Sequence, residues 1–328
     1  MEKIIGIGNA LVDVMTMIPD DTFLNRFSLP KGSMTMVDAN RSAEIKQATA
    51  SMKSTLASGG SAGNTMYGLG VMGVYSSFIG KVGRDAMGNF YEKDMVEAGI
   101  IPVLMRSHIS PTGTAVALVT PDSERTFATH LGASTELTAE ELQNEYFKGY
   151  QILYLEGYLI FNLPLVEKAC TLAKRNNMRI ALDLASFNVV ADMLPSFRKI
   201  INDYVDIVFA NTEEARAFTG LEPREALDAL AGICDIAVVK TGPEGSWIKR
   251  ENEVIKIDAL KVNPVDTTGA GDLYAAGFLY GLSHGFDLDK CGMFGSILAG
   301  KVIEVIGARM HQEKWSEARK LISEVAED

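Results

Sequence analysis

Seven residues, Asp266-Thr267-Thr268-Gly269-Ala270-Gly271-Asp272, set a carboxylate beside three residues with almost no side chain. A ligand can come close to such a backbone. The apolar run from Leu273 to Leu282 follows and reads as a helix. The first N–H groups of a helix lack internal partners and sit at the positive end of its dipole. Together these features make an anion site suited to a phosphate in transfer. A carboxylate repels phosphate, so Asp272 makes sense there as a base that takes the proton of an attacking hydroxyl. Taken alone, the stretch also reads as a Gly-rich turn with Asp272 as a charge at a helix N-terminus.

At these seven residues the sequence resembles the ribokinase-like (PfkB) family of sugar and nucleoside kinases. Other family landmarks follow in order over nearly all 328 residues. The segments GIGNALVDV (6–14), KGSMTMVD (31–38), SGGSAGNT (58–65) and DTTGAGDLYAAGFLYGL (266–282) look closest to bacterial adenosine-kinase-like members. The resemblance implies one domain over residues 1–328, a three-layer α/β/α fold with a mostly parallel central sheet. It also implies a small β lid, which the sequence puts at about 14–38 and 101–130. It implies Mg²⁺-ATP as phosphate donor. Asp272 would be the base, and the backbone of Gly269, Ala270 and Gly271 the anion hole. Asn9, Asp13, Gly59, Gly60 and Asn64 would hold the substrate's sugar hydroxyls. Asn211 and Glu214 match an N-x-x-E motif that organises Mg²⁺ and its waters. Thr241 and Gly242 would lie near the nucleotide phosphates, with Asp266 and Thr268 in the same nucleotide-side group. The turn Ile306–Arg309 would lie near a potassium ion held mostly by backbone oxygens.

Several of these residues have plainer readings on their own. Asn9 and Asp13 read as a turn Asn and a solvated Asp, although a carboxylate can also accept both hydroxyls of a ribose diol. Ser58–Asn64 reads as a loop and helix cap, Lys240–Gly245 as a hairpin, and Glu213-Glu214 as acidic residues suited to a helix start.

The elements that must position these residues follow from pattern. Ile4–Ile7 is a buried strand, ended by Gly8-Asn9-Ala10. Val14–Ile18, Ser33–Val37, Ile101–Arg106, Thr114–Thr120 and Arg125–Thr129 read as a small sheet, with Pro121–Glu124 as a turn. From Tyr146 strands at 152–155, 179–183, 207–210 and 236–240 alternate with helices at 164–175, 196–202, 213–219 and 224–233. Such alternation predicts a parallel sheet covered by helices. Glu156, Asp183, Asn211 and Thr241-Gly242 then fall at carboxyl ends of strands, where open α/β sheets bind ligands. Gly68–Gly73 fits G-x-G-x-x-G but follows a helix rather than a strand, which excludes a dinucleotide fingerprint. Gly295–Lys301 looks like a phosphate loop, but Val302 stands where a Ser or Thr must bind the metal, so it reads as core helix.

A net charge of −11 makes nucleic acid and anionic membranes poor partners. Three scattered cysteines and four scattered histidines give neither a disulfide framework nor a zinc motif. They suit a reducing, cytoplasmic compartment. No signal peptide is evident. The exposed edges of the small sheet would allow a homodimer through the lid. The expected substrate is a small molecule, adenosine first. Phe127, Tyr158 and Phe161 are available for a base slot. The alternative is ribose, fructose or a sugar phosphate, the last calling on Lys31, Arg106 or Arg125. A non-catalytic sensor on the same fold would have no need of Asp272.

Overall fold

A computed structural model describes residues 1–122 and 124–327. Ser123 of the expected turn and Asp328 of the tail lie outside the described residues. Among the described residues, fourteen strands form two sheets. In chain order they are β1 (Ile4–Ile7), β2 (Leu11–Met17), β3 (Met34–Met36), β4 (Ser54–Gly59), β5 (Ser76–Gly83), β6 (Ile100–Ser107), β7 (Thr112–Val119), β8 (Arg125–Gly132), β9 (Ile152–Glu156), β10 (Arg179–Asp183), β11 (Ile207–Asn211), β12 (Ile236–Lys240), β13 (Ser246–Arg250) and β14 (Glu253–Ile257).

The large sheet has nine strands in the order β14-β13-β12-β11-β10-β9-β1-β5-β6. All neighbours from β12 to β6 are parallel, and β13 and β14 add an antiparallel edge. Its central strands are apolar without alternation because both faces are buried. Ile4, Tyr154 and Phe209 pack into one core, while Ile5, Ile7 and Leu155 pack into another on the opposite face. Helices Ser61–Val71, Ala270–Ser283, Leu288–Val302 and Gln312–Glu327 cover the first face. Helices Leu163–Arg175, Leu194–Tyr204, Thr212–Thr219 and Pro223–Ala231 cover the second. This is the expected three-layer α/β/α arrangement with a separate small sheet. Among the described residues, no helix is long and apolar enough to cross a membrane.

The small sheet has five strands in the order β3-β8-β7-β2-β4. Its composition corrects one expectation and adds a strand not read from the sequence. The run Ile101–Arg106, expected in the small sheet, is part of β6 (Ile100–Ser107), which pairs in parallel with β5 and forms the edge of the large sheet. As an edge strand it is mostly half-buried, and its apolar run carries no sign of which sheet it joins. Ser54–Gly59 takes a place in the small sheet instead, antiparallel to β2. Its Ser, Thr, Ala and Gly content carries little strand signal. Both sequences that looked like phosphate or dinucleotide loops lie where expected: Gly68 and Gly70 in helix Ser61–Val71, and Gly295–Lys301 in helix Leu288–Val302.

The topology fixes where a ligand can bind. The chain lays β5 and β6 on one side of β1 and β9 to β12 on the other. The order therefore reverses at β1, and a crevice opens at the carboxyl ends of β1 and β9. Gly8, Asn9 and Glu156 stand at that point.

Candidate active site

Asp272 is in the first turn of helix Ala270–Ser283, with Gly269 as the cap residue at φ 77°. That left-handed conformation favours glycine. A Cβ on Gly269 would lie 2.6 Å from the Ala308 Cβ. The loop therefore closes tightly over the turn at 306–309. Ala270 N bonds the Thr267 carbonyl at 3.2 Å, while Gly269 N and Gly271 N make no backbone hydrogen bond among the described residues. The Asp272 carboxylate accepts from Ser61 Oγ at 2.8 Å and from Asn64 Nδ2 at 2.9 Å. Thr65 Oγ1 donates to the Asp272 carbonyl at 3.1 Å. Two helices packed side by side thus bring their first turns together at one carboxylate. Burial pushes its pKa up to about 6; the Asn64 and Ser61 hydrogen bonds only partly offset that, and Asp183 adds repulsion.

The five residues expected to hold the substrate converge on the same crevice. Glu156 is buried at the end of β9 and ties three of the pieces together. It accepts from Asn9 N at 2.9 Å, Asn9 Nδ2 at 2.5 Å and Ala62 N at 2.9 Å. Gly60, at φ 84°, packs so close to the Asn9 carbonyl that no side chain fits. Gly59 lies against the Asp13 carboxyl with the same result. Two groups in this crevice lack protein partners. Asn64 Oδ1 is buried and accepts no hydrogen bond. No donor among the described residues reaches the Asp13 carboxylate, and burial pushes its pKa up to about 6, with Arg309 lowering it and Asp272 raising it. An unpartnered buried acceptor such as Asn64 Oδ1 is costly, and ligand hydroxyls would satisfy it and the half-buried Asp13 carboxylate.

Further along the sheet edge stand Asp183, Asn211, Glu214 and Lys240. Asn211 and Glu214 form a reciprocal cap. Glu214 N donates to Asn211 Oδ1 at 2.9 Å, and Asn211 N and Nδ2 each donate to the Glu214 carboxylate at 2.7 Å. The plain reading of a helix start and the motif reading therefore share one geometry. Burial pushes Glu214 up to about 7, with Asp183 repulsion adding to it. Asp183, Glu214 and Asp272 act on one another here with Lys240 as the ammonium among them. Such an excess of carboxylates, with lone pairs free on Glu214, fits Mg²⁺ bound largely through its own waters.

Potassium does not fit in the same way. The Asp266 carboxylate is ion-paired with Arg125 of β8 and also accepts from Thr268 N at 2.9 Å and Gly307 N at 2.5 Å. Asp266 and Thr268 thus hold the loop rather than face a nucleotide. A guanidinium already supplies the positive charge beside the turn at 306–309. Thr241 and Gly242 form the bend between β12 and β13. The Thr241 hydroxyl donates to the Gly245 carbonyl at 3.0 Å, and the space beside Gly242 is open.

The cations suggested for a sugar phosphate are engaged elsewhere. Lys31 pairs with Asp21 and Asp122, Arg106 with Glu92, and Arg125 with Asp266. Of the aromatics, Phe161 is exposed, while Tyr158 is half-buried, and burial first and the Glu156 charge next push its hydroxyl up to about 12. Sequence reading did not assign Ser61 or the Asp183–Lys240 pair to the site. Lys240 Nζ bonds Asp183 Oδ2 at 2.8 Å across 57 residues of chain. Only the strand-end position of each residue hinted at it.

A family profile described as pfkB family carbohydrate kinase matches residues 28–315. The chain is similar over its full length to solved structures. One is a probable sugar kinase from Rhizobium etli, with 31% identity, 99% of each chain covered and a TM-score of 0.87. Another is the adenosine kinase from Sinorhizobium meliloti, with 34% identity, 97% of this chain and 99% of that one covered, and a TM-score of 0.86. A nucleoside kinase of Methanocaldococcus jannaschii is 31% identical over 263 residues, 78% of this chain and 82% of that protein.

Proposed function

The chain belongs to the pfkB family of carbohydrate kinases, and we propose that it transfers the γ-phosphoryl group of ATP to the 5′-hydroxyl of a purine nucleoside, adenosine first. Phosphotransfer to a hydroxyl of a sugar or nucleoside is the family's activity. The finer reading rests on the inner face of the small sheet. Strand register puts Asp13, Ala115, Thr129 and Met36 in one row, and Met15, Ala117, Phe127 and Met34 in the next. The opposite face of the sheet is packed against the core through Val12, Val14, Val116 and Ala128. Met17, Met34 and Met36 remain 53%, 59% and 55% exposed. A free sugar has no use for an apolar wall beside its hydroxyl-binding carboxylate. A nucleobase does, and methionine adapts to flat aromatic ligands.

In this reading the small sheet serves as a lid that excludes water, so that ATP is not hydrolysed in place of transfer. Asp13 and Asn9 take the ribose hydroxyls, and Asn64 Oδ1 accepts from the substrate. Gly59 and Gly60 let the sugar approach the backbone. Asp272 accepts the proton of the 5′-hydroxyl as that oxygen attacks phosphorus. The backbone N–H groups at Gly269–Gly271 stabilise the charge on the transferring group. Mg²⁺, when bound, neutralises phosphate charge, and Asn211 and Glu214 would hold it through water. Thr241 and Gly242 border the nucleotide side.

Two outcomes follow. With Mg²⁺-ATP, ADP release should favour adenosine over ribose, fructose and fructose 6-phosphate by about a hundredfold or more in kcat/KM, the discrimination a base pocket can enforce. A free sugar as the best acceptor would remove the nucleoside reading and leave the kinase intact. Asp272 must be ionised to take a proton. With its pKa at about 6, kcat/KM should rise with pH through that value and level off above it. A profile flat from about pH 5 to 8 would contradict the base role.

A further inference from the structure

We propose that Lys240, positioned by Asp183, is a further catalytic residue that contacts the transferring phosphoryl group and completes the anion hole. The proposal rests on the reading of Gly269–Gly271 as that hole. Lys240 ends β12, and its side chain is only 13% exposed. Its ammonium points at the hole. A Cβ placed on Gly271 would find Lys240 Nζ 3.1 Å away and, apart from its chain neighbours and its own helix backbone, no other described atom within 4 Å. The space beside Gly271 is therefore open except for one full positive charge.

That charge answers a deficit in the site. Backbone N–H groups offer only partial charges. Mg²⁺ would neutralise part of the phosphate charge from the Glu214 side, but the protein's own charged groups around Gly269–Gly271, besides Lys240, are the carboxylates of Asp272, Asp183 and Glu214, which repel phosphoryl oxygens. In phosphoryl transfer the charge spread over those oxygens is what the protein must stabilise. Lysine, a compact point charge, suits this task. Burial works against the Lys240 charge, but Asp183 and Glu214 more than offset it, so the ammonium stays charged.

The chain also takes trouble to hold Asp183. Its second oxygen accepts from Ala185 N at 2.9 Å. Ala185 has φ 67°, a conformation a residue with a Cβ rarely adopts. Gly157 packs against the same bend, where a Cβ would lie 2.6 Å from the Asp183 carbonyl. Local strain of this kind persists where the surroundings enforce it, often at functional sites. A buried ion pair is in itself weak evidence of a stabilising role.

Lys240→Gln keeps a donor for Asp183 and removes the charge. It should lower kcat by about a hundredfold or more, the loss seen on removing one donor to a developing charge. Adenosine affinity should stay within about threefold of the unmodified protein, since the ammonium faces phosphate and not the nucleoside. Calorimetry should show ADP alone still binding, and ADP with aluminium fluoride, a mimic of the transferring phosphoryl group, no longer binding more tightly than ADP. Lys240→Arg should recover part of the lost turnover. A Gln variant with kcat within about threefold of the parent, or one losing ADP and the mimic equally, would overturn the proposal. So would failure of the Gln variant to fold, which would make the pair structural. Absence of ADP release by the unmodified protein with every acceptor would instead overturn the kinase reading beneath it.

Discussion

Replacing Asp272 with Asn leaves a folded protein that turns over at least about a hundredfold more slowly, the low end of what a general base contributes. Folding survives because the substitution is nearly isosteric and its neighbours can adapt. Ser61 Oγ still donates to the remaining oxygen, and Thr65 still bonds the backbone carbonyl. The amide oxygen can keep the Asn64 Nδ2 bond, leaving Asn64 Oδ1 free for the substrate. Chemistry does not survive, because the amide cannot take the hydroxyl proton. The measurement is steady-state ADP release, with the thermal midpoint as control. A variant with near-normal turnover would remove Asp272 from the base role.

Valine at Gly269 is the second large effect. The residue sits at φ 77° with Ala308 close behind it. A β-branched side chain is strained in that conformation by about 1–3 kcal/mol and has no room besides. The cap must move, and with it the N–H groups at the start of helix Ala270–Ser283. Turnover should fall by roughly 10²–10³-fold, as when an oxyanion donor is lost. The fall in thermal midpoint should be modest, since the cores on both faces of the large sheet are untouched. Full turnover by the valine variant, measured by the same ADP assay, would show that the backbone there does not bind the transferring group.

The parts legible from sequence were those written in local pattern. Gly269–Asp272 ahead of an apolar run marked a helix start, and the helix begins at Ala270. Strand-helix alternation after Tyr146 put Glu156, Asp183 and Asn211 at strand ends, and each is the last residue of its strand. What stayed hidden depends on pairing across the chain. Ile101–Arg106 reads as a strand without saying which sheet it joins, and only its partner β5 assigns it to the large sheet. Ser54–Gly59 joins the small sheet through register with β2 despite weak strand chemistry. Lys31, Arg106 and Arg125 looked free for a phosphate because their partners Asp122, Glu92 and Asp266 are distant in sequence or on other elements. Lys240 and Asp183 meet for the same reason, since parallel strands align residues that the sequence separates.

Phosphoryl transfer from Mg²⁺-ATP to adenosine is most directly tested by ³¹P NMR of the reaction mixture. The expected products are ADP and a 5′-phosphomonoester in equal amounts, with no inorganic phosphate and no turnover when adenosine is left out. Inorganic phosphate without the monoester, or no consumption of ATP, would contradict a site built to hand the γ-phosphoryl group to a nucleoside hydroxyl.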